Sequence, residues 1–378
     1  MIEKYYDGAI EQVAAGLGTV EKNHLLVRYS GQFSVENLND TKQLEKNEDI
    51  FVQVHEFETG EITCAYEPYL TMICDGFRRY MTGTFEEFME TCDVYYLHRP
   101  VLLGYFNQDN TGREEIILLD EVAYEQERML AALERMLCAI ADRHPVLFVL
   151  NRFQLASKST IQLTARFLKC ENCNIGLVLG VSDIQAMPEF LVPDWEMLYE
   201  TLDDGSKIYH IGNSGRKKEE TIDDEKYVDY GSEKVYRKLQ NMVEFLDFDQ
   251  AAYYLETIER KIKFDNLLVD DAARFRMWLL FVKVSILRQD IPKALEICED
   301  LEKIHLAGKE EECAYEQDYL IATAYMYQGK LKEALEMAGE TYRIAGKMSD
   351  DYRMFLSELL EAKIQMSGWY NIFFCAQD

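Results

Sequence analysis

Short apolar runs separated by longer amphipathic stretches dominate the first 212 residues of the chain. Runs of four to eight apolar residues are typical of buried strands, whereas apolar residues at every third or fourth position indicate helices. This pattern predicts strands at 24–29, 50–55, 101–106, 116–119, 146–150, 175–181 and 207–211. It predicts helices at 2–15, 69–80, 85–91, 125–141 and 158–169.

Most of these strands are separated by helices of ten or more residues, which is the length that a crossover connection needs. We therefore expect an α/β domain with a parallel sheet over residues 1–212. A dense mixed-charge run follows at 213–230, and its Gly and Ser residues favour a linker between domains. No convincing strand follows the linker, so the second domain, 231–378, is expected to be helical.

Three stretches of the second domain share one pattern, in which a polar turn precedes a small residue and then apolar residues at helical intervals. The small residues are Ala251, Ala294 and Ala334, which are 43 and 40 residues apart. Gly329 and Gly368, 39 residues apart, suggest one further unit that is cut short. Self-similarity at such a period predicts a solenoid of helix pairs, and a small residue lets paired helices approach closely. An ordinary helical bundle is the alternative.

The repeats resemble the tetratricopeptide family, with Ala322, Tyr325 and Ala334 in signature places. Their period is longer than the 34 residues of that family. The resemblance implies a surface that binds protein partners, and Tyr319, Tyr325 and Tyr327 are candidates to line its groove. Packing between repeats is the alternative role for these tyrosines. Because the chain stops in mid-repeat, we also expect that it is a fragment truncated at its C-terminus.

Charge and cysteine content narrow the function classes. The 40 Lys and Arg residues stand against 68 Asp and Glu residues, which gives a net charge of −28. Such a field repels phosphate backbones, so we expect no nucleic-acid partner for this segment. Nine scattered cysteines favour reduced thiols over a disulfide framework. No signal pattern or run of 18 apolar residues occurs, which predicts a cytoplasmic protein without a membrane contact.

The most informative motif is the segment 145–168, PVLFVLNRFQLASKSTIQLTARFL. It resembles the Walker B region of the signal-transduction ATPases with numerous domains (STAND), in which an AAA-like ATPase domain is joined to helical repeats. In that family two acids follow the strand; here Asn151 and Arg152 replace them. The frame is kept by Gln154, Ala156, Ser159 and Thr160. An amide and a cation cannot hold Mg²⁺ between phosphates, so the resemblance implies an inactive site.

If that frame is correct, the phosphate loop should follow the strand at 24–29. A working loop reads G-x-x-x-x-G-K-[ST] and surrounds phosphates with backbone amides and a lysine. The chain has YSGQFSVEN there, which places Ser34 at the second glycine, Val35 at the lysine and Glu36 at the hydroxyl residue. We therefore predict degenerate phosphate-loop positions at Ser34, Val35 and Glu36, with no metal and no cofactor.

Two other patterns in the sequence compete with this interpretation. Asp120 and Glu121 follow the apolar run 116–119 and could hold Mg²⁺ and polarise water in a nucleotide switch. Acids at the start of a helix are also ordinary, because the helix dipole favours them there. Cys170 and Cys173 form a C-x-x-C pair, but a structural zinc needs two further ligands at similar spacing.

We therefore expect a pseudo-ATPase: an inactive STAND-like α/β domain joined to tetratricopeptide-like repeats, which acts as a signalling or transcription-regulator fragment of bacterial type. Recognition by the repeats would be transmitted through the charged linker. The alternative is a nucleotide-dependent switch that uses Asp120 and Glu121 with a non-standard phosphate loop. A scaffold without regulatory movement also fits. The partner's identity and the oligomeric state stay open.

Overall fold

A computed structural model of the protein describes residues 2–17, 24–30, 33–35, 49–58, 60–108, 122–170, 174–182, 187–202, 208–211, 229–265 and 267–374. The chain forms two compact units. The first contains Met1–Ile116, Ala123–Val228 and Glu244–Asp247. The second contains Ile117–Val122, Asp229–Val243 and Phe248–Asp378.

The first unit contains a five-stranded, all-parallel sheet in the order β2-β3-β4-β1-β5. Its strands are β1 (Leu25–Tyr29), β2 (Phe51–Glu56), β3 (Val146–Asn151), β4 (Ile175–Ser182) and β5 (Ile208–Ile211). In register, Glu56 at the end of β2 lies opposite Asn151 at the end of β3. The predicted parallel α/β sheet is therefore confirmed.

The first unit also contains seven described helices. They are α1 (Ile2–Gly16), α2 (Tyr69–Tyr80), α3 (Phe85–Thr91), α4 (Arg99–Asn107), α5 (Val122–Arg143), α6 (Lys158–Lys169) and α7 (Val192–Leu202). Short 3₁₀ turns occur at Phe153–Leu155 and Glu189–Leu191. Where the sequence predicted helices at 69–80, 85–91 and 158–169, the observed bounds are the same.

The core of this unit explains why β3 and β4 are apolar along their whole length. On one face of the sheet, Leu147 and Val149 pack with Tyr6 and other buried residues of α1. On the other face, the ring of Phe148 lies 4.7 Å from that of Tyr69 in α2. Since both faces are covered, every residue of β3 is buried.

The predicted strand at 101–106 is wrong, because these residues lie in helix α4. Pro100 stands in the first turn of that helix, where a missing N–H costs nothing. Only Val101 and Leu102 of the run are buried, so the apolar stretch forms one helical face. A short apolar run does not by itself distinguish a strand from a helix. The strand predicted at 116–119 lies outside the described residues.

The second unit is helical over its described residues. Its helices are α8 (Glu233–Glu244), α9 (Phe248–Phe264), α10 (Asp271–Leu287), α11 (Ile291–Leu301), α12 (Glu310–Tyr327), α13 (Leu331–Met348) and α14 (Asp351–Phe374). From α9 onward each helix contacts the next one along the chain. In addition, α10 contacts α12, and α12 contacts α14.

The repeated sequence pattern corresponds to a repeated backbone feature. Leu246, Gln289 and Gly329 have positive φ angles of 65°, 62° and 79° in the turns before α9, α11 and α13. In each of these helices the small residue of the pattern, Ala251, Ala294 or Ala334, is fully buried. The suggested further unit differs, because α14 continues through Gly368 without a turn.

Candidate functional site

The sheet topology identifies where a ligand of this α/β unit would bind. The chain leaves β1 for β2, three places away, and returns through β3 and β4 before it crosses to β5. The connections after β1 and β4 therefore run in opposite directions, and right-handed crossovers place them on opposite faces. The carboxyl ends of β1 and β4 form the topological switch point, which is the usual ligand crevice of an open α/β sheet.

Aromatic side chains fill this part of the sheet edge. Tyr29 ends β1, Phe33 follows in the next loop, and Tyr6 projects from α1. The ring of Phe33 lies 5.4 Å from that of Tyr6 and 5.8 Å from that of Tyr29. Both tyrosines are at most 2% exposed. The described part of the crevice is therefore packed with rings.

Gly180 in β4 is needed for this packing. A Cβ atom at that position would lie 2.3 Å from Tyr6 Oη and 2.6 Å from Asn151 Oδ1. Both distances are shorter than any normal contact of a methyl group. The phenol of Tyr6 thus packs closely against the backbone of β4 at Gly180, within the crevice.

Asn151, at the predicted Walker B position, is fully buried and makes internal hydrogen bonds. Tyr29 Oη donates to Asn151 Oδ1 at 2.6 Å, and Asn151 Nδ2 donates to the Phe33 carbonyl at 3.0 Å. The amide therefore ties the loop after β1 to the end of β3. A carboxylate could accept the tyrosine proton but could not donate to the Phe33 carbonyl.

A carboxylate already stands at the predicted phosphate loop. Glu56 Oε2 accepts hydrogen bonds from Ser34 Oγ at 2.8 Å and from the Val35 backbone N–H at 3.2 Å. Glu56 Oε1 lies 3.4 Å from Arg152 Nε, and both side chains are at least three-quarters buried. Ser34, Val35 and Arg152, three of the positions predicted to be degenerate, thus contact the same carboxylate. Glu36 lies outside the described residues.

Burial and charge keep the two phenols of the crevice protonated. Burial, with Glu56 adding to it and Arg152 opposing it, raises the pKa of Tyr29 to about 12. Burial, together with Tyr29 and Glu56, raises the pKa of Tyr6 well above its ordinary value. Tyr29 therefore serves as a donor to Asn151 at neutral pH. Tyr6 Oη has no hydrogen-bond partner among the described residues.

The residues that keep the Walker B frame have structural contacts. Gln154 Oε1 accepts from the Ser182 N–H at the end of β4, at 3.2 Å. Ser159 Oγ accepts from the Tyr66 N–H at 3.1 Å, and Thr160 Oγ1 donates to the Glu67 carbonyl at 2.9 Å. Asp247, from the segment Glu244–Asp247 of the same unit, accepts from the Ser159 N–H at 3.0 Å. This frame links α6 to its surroundings.

The other predicted site residues either lie outside the described residues or pack between helices. Asp120 and Glu121 lie outside the described residues. Tyr319, Tyr325 and Tyr327 are partly buried and pack against a cluster formed by α12, α13 and α14. In the described parts of the chain, no group of three or more His, Cys, Asp or Glu residues is placed to hold a metal ion.

A groove of about 580 Å³ lies in the second unit, and sequence reasoning did not predict it. We call it the helical groove. It is formed by α10, by the connection before α12, and by α12 and α14. Its lining includes the apolar Ala272, Phe275, Leu279 and Leu306, and the basic Arg276 and Arg353. The spacing of Ala272, Phe275 and Leu279 on one helical face is the signal that could have indicated it.

No protein-family model matches the chain, and no curated protein matches it. Across the described segments, we find no helix whose length and apolar character would let it cross a membrane.

Proposed function

We propose that this chain is a non-catalytic regulator segment, in which a pseudo-ATPase α/β unit accompanies helices that bind protein partners. The observation that carries the first half is the Glu56 carboxylate at the predicted phosphate loop. The resemblance of residues 145–168 to the STAND Walker B region supplies the expectation of signalling or transcriptional regulation. The helical groove supports the second half.

Electrostatics at Glu56 argue against a bound triphosphate. The Val35 N–H, which would face a phosphate, donates to Glu56 instead. A unit negative charge about 4 Å from this carboxylate would be repelled by about 4 kcal/mol at an effective dielectric constant of about 20. A phosphate would also have to separate Glu56 from Arg152. The Glu56 carboxylate therefore replaces a phosphate group as the anion at this position.

The side chains at the position expected to bind Mg²⁺ also bond to other residues of the protein. Both polar atoms of the Asn151 side chain are engaged, with Tyr29 and with the Phe33 carbonyl. Arg152 next to it carries a positive charge that repels a divalent cation. Mg²⁺ needs oxygen ligands in near-octahedral geometry. The described residues at this strand end offer no free carboxylate for it, since Glu56 is paired with Arg152.

Titration of the full chain with ATP and Mg²⁺ tests the pseudo-ATPase proposal. We expect no change in Tm up to millimolar ATP and no phosphate release. A ligand at a hundredfold excess over its Kd would stabilise the fold by about 2.7 kcal/mol, which is easily measured. Asp120→Ala removes an acid that the alternative nucleotide switch would use. Asp75→Ala is its matched control, because Asp75 is an acid at the surface of α2.

The opposite outcome would favour the nucleotide switch. A saturable rise in Tm that survives in Asp75→Ala and disappears in Asp120→Ala would overturn the proposal. Phosphate release that follows the same pattern would overturn it as well.

The partner-binding half rests on the layered contacts of the helices and on the groove. The contacts of α10 with α12 and of α12 with α14 are those expected if alternate helices share one layer, which supports a solenoid of helix pairs. The groove is lined by residues of these three helices, among them Phe275, Leu279 and Arg276. Such a groove fits an apolar side chain of a partner segment.

Capture of partners by the immobilised full chain tests this half. Ala272 lines the groove and is exposed, so Ala272→Arg should fill the groove without disturbing the fold. Ala362→Arg is the matched control, since Ala362 is an exposed alanine of α14 outside the groove lining. We expect the wild type and Ala362→Arg to retain the same protein and Ala272→Arg to retain at least tenfold less. Equal retention by all three would contradict binding in this groove.

A further inference from the structure

Two cysteines from different helices lie in contact in the first unit. Cys138 belongs to α5, and Cys170 directly follows α6. Their Sγ atoms are 4.0 Å apart. Both residues are half-buried. The pairing is not evident from the sequence, where Cys170 suggests a pair with Cys173 instead.

The register of the two helices is held by ion pairs one turn away. Arg166 precedes Cys170 by four residues, and Glu134 precedes Cys138 by four residues. Arg166 Nε donates to Glu134 Oε2 at 2.8 Å, and Arg166 also donates to Glu127 at 2.7 Å. Because residues four apart lie on the same face of a helix, these contacts bring the two thiols to the same level.

Three other thiols of the described residues are buried and less suited to oxidation. Burial raises the pKa of Cys74 to about 12, that of Cys92 to about 11 and that of Cys298 to about 12. Since the thiolate is the reactive form, these three cysteines stay inert at neutral pH. Cys138 and Cys170 combine partial exposure with a neighbouring thiol, which is the arrangement that completes a disulfide.

We propose that Cys138 and Cys170 form a redox-responsive pair that closes to a disulfide when the protein meets a hydroperoxide. The first sulfur, as thiolate, attacks a peroxide oxygen and becomes a sulfenic acid, and the O–O bond breaks. The second thiol then attacks that sulfur, an S–S bond forms, and the oxygen leaves as water. With hydrogen peroxide, two thiols lose two electrons and two protons, and two waters form.

The disulfide would act on the candidate site through the chain that it encloses. The segment between Cys138 and Cys170 contains β3 and the turn with Asn151 and Arg152. The sulfurs need to approach by about 2 Å to reach bonding distance. Once closed, the bond would join the C-terminal ends of α5 and α6 and restrict the unfolded chain, which raises Tm. Oxidation of the pair would thus restrict the motion of the segment that contains β3 and the turn with Asn151 and Arg152.

Peptide mapping of the full chain tests the proposal. The reduced protein is treated with hydrogen peroxide, alkylated, digested and analysed by mass spectrometry without reductant. We expect a cross-linked peptide that joins Cys138 to Cys170, the joint loss of alkylation at both, and a rise in Tm that dithiothreitol reverses. Cys138→Ser should abolish the rise. Cys64→Ser, a change at another half-buried thiol, should keep it.

Peptide mapping also distinguishes a Cys138–Cys170 disulfide from one between Cys170 and Cys173 of the C-x-x-C motif. A cross-link between Cys170 and Cys173, or a Cys138 thiol that stays alkylatable when other cysteines have oxidised, would overturn the proposal. The wild-type map decides the question even if Cys138→Ser folds poorly, because it compares the same polypeptide in two oxidation states.

Discussion

At the scale of single residues, the candidate site differs from a nucleotide site through a few side chains that bond to one another. Glu56 accepts from Ser34 and from the Val35 N–H, while Asn151 bonds to Tyr29 and to the Phe33 carbonyl. These polar groups satisfy one another within the crevice. Ser34 and Val35 lie in the loop after β1, whereas Glu56 and Asn151 are the last residues of β2 and β3. This bonded arrangement is compatible with the proposed loss of nucleotide chemistry.

Gly180 provides a direct test of the filled crevice. We expect Gly180→Ala to destabilise the protein by about 1–3 kcal/mol, because the added methyl group would overlap with Tyr6 Oη and Asn151 Oδ1. Urea unfolding measures the change. Gly346→Ala is the matched control: Gly346 lies inside α13 with no atom near its missing Cβ, so alanine should stabilise by about 0.5–1 kcal/mol.

Tyr6→Phe, combined with Gly180→Ala, makes the test specific. The hydroxyl oxygen of Tyr6 is the atom that the new methyl group meets at the shortest distance, 2.3 Å. Its removal should therefore restore part of the lost stability. Gly180→Ala as stable as the wild type, or a double variant with no recovery, would show that Tyr6 does not occupy the crevice.

At the scale of elements, hydrophobic periodicity predicted most of the α/β unit. The strands β1 to β5 and the helices α1, α2, α3, α5 and α6 follow from it, because each has a continuous run or a helical stripe. Helix α7 was not predicted, although Pro193 stands in its first turn, which is a position that favours the start of a helix. The run 101–106 was assigned to the wrong element because it is short. Local pattern alone does not resolve such cases.

The repeat pattern of the second unit was predictable for a physical reason. Each turn needs a residue that tolerates a positive φ, and each following helix needs a small residue where its neighbour approaches. Leu246, Gln289 and Gly329 repeat at the same spacings, 43 and 40 residues, as the alanines. Sequence spacing and backbone geometry therefore describe the same unit. Whether the units stack as a solenoid stays a prediction.

The contacts of the candidate site were only partly predictable. Asn151 and Arg152 come directly after a strongly apolar run in the sequence, so they could be proposed as site positions, and their replacement of two acids stays a prediction. Glu56 was missed because its partners, Ser34 and Val35, come from the loop after β1, and β1 lies three places from β2 in the sheet. One signal was present: Glu56 is the last residue of β2, and the carboxyl ends of parallel strands meet at one edge.

At the scale of the whole molecule, the excess of negative charge sets how stability responds to salt. With 68 acidic and 40 basic side chains, like-charge repulsion opposes the compact state. Salt shortens the range of this repulsion, from about 30 Å at 0.01 M to about 10 Å at 0.1 M. Many ion pairs, such as Arg237 with Glu233, are exposed and contribute little. Screening should therefore relieve more repulsion than it weakens attraction.

We accordingly expect the Tm of the full chain to rise as NaCl increases from about 0.01 M to about 0.2 M. In domains of this size a gain of about 1 kcal/mol corresponds to about 2–4 °C. Differential scanning calorimetry at constant pH measures the shift, and KCl serves as the control, because screening depends on ionic strength and not on which cation is present. A Tm that stays constant, or falls, would mean that ion pairs outweigh the net repulsion. A rise with one salt only would indicate specific ion binding instead of screening.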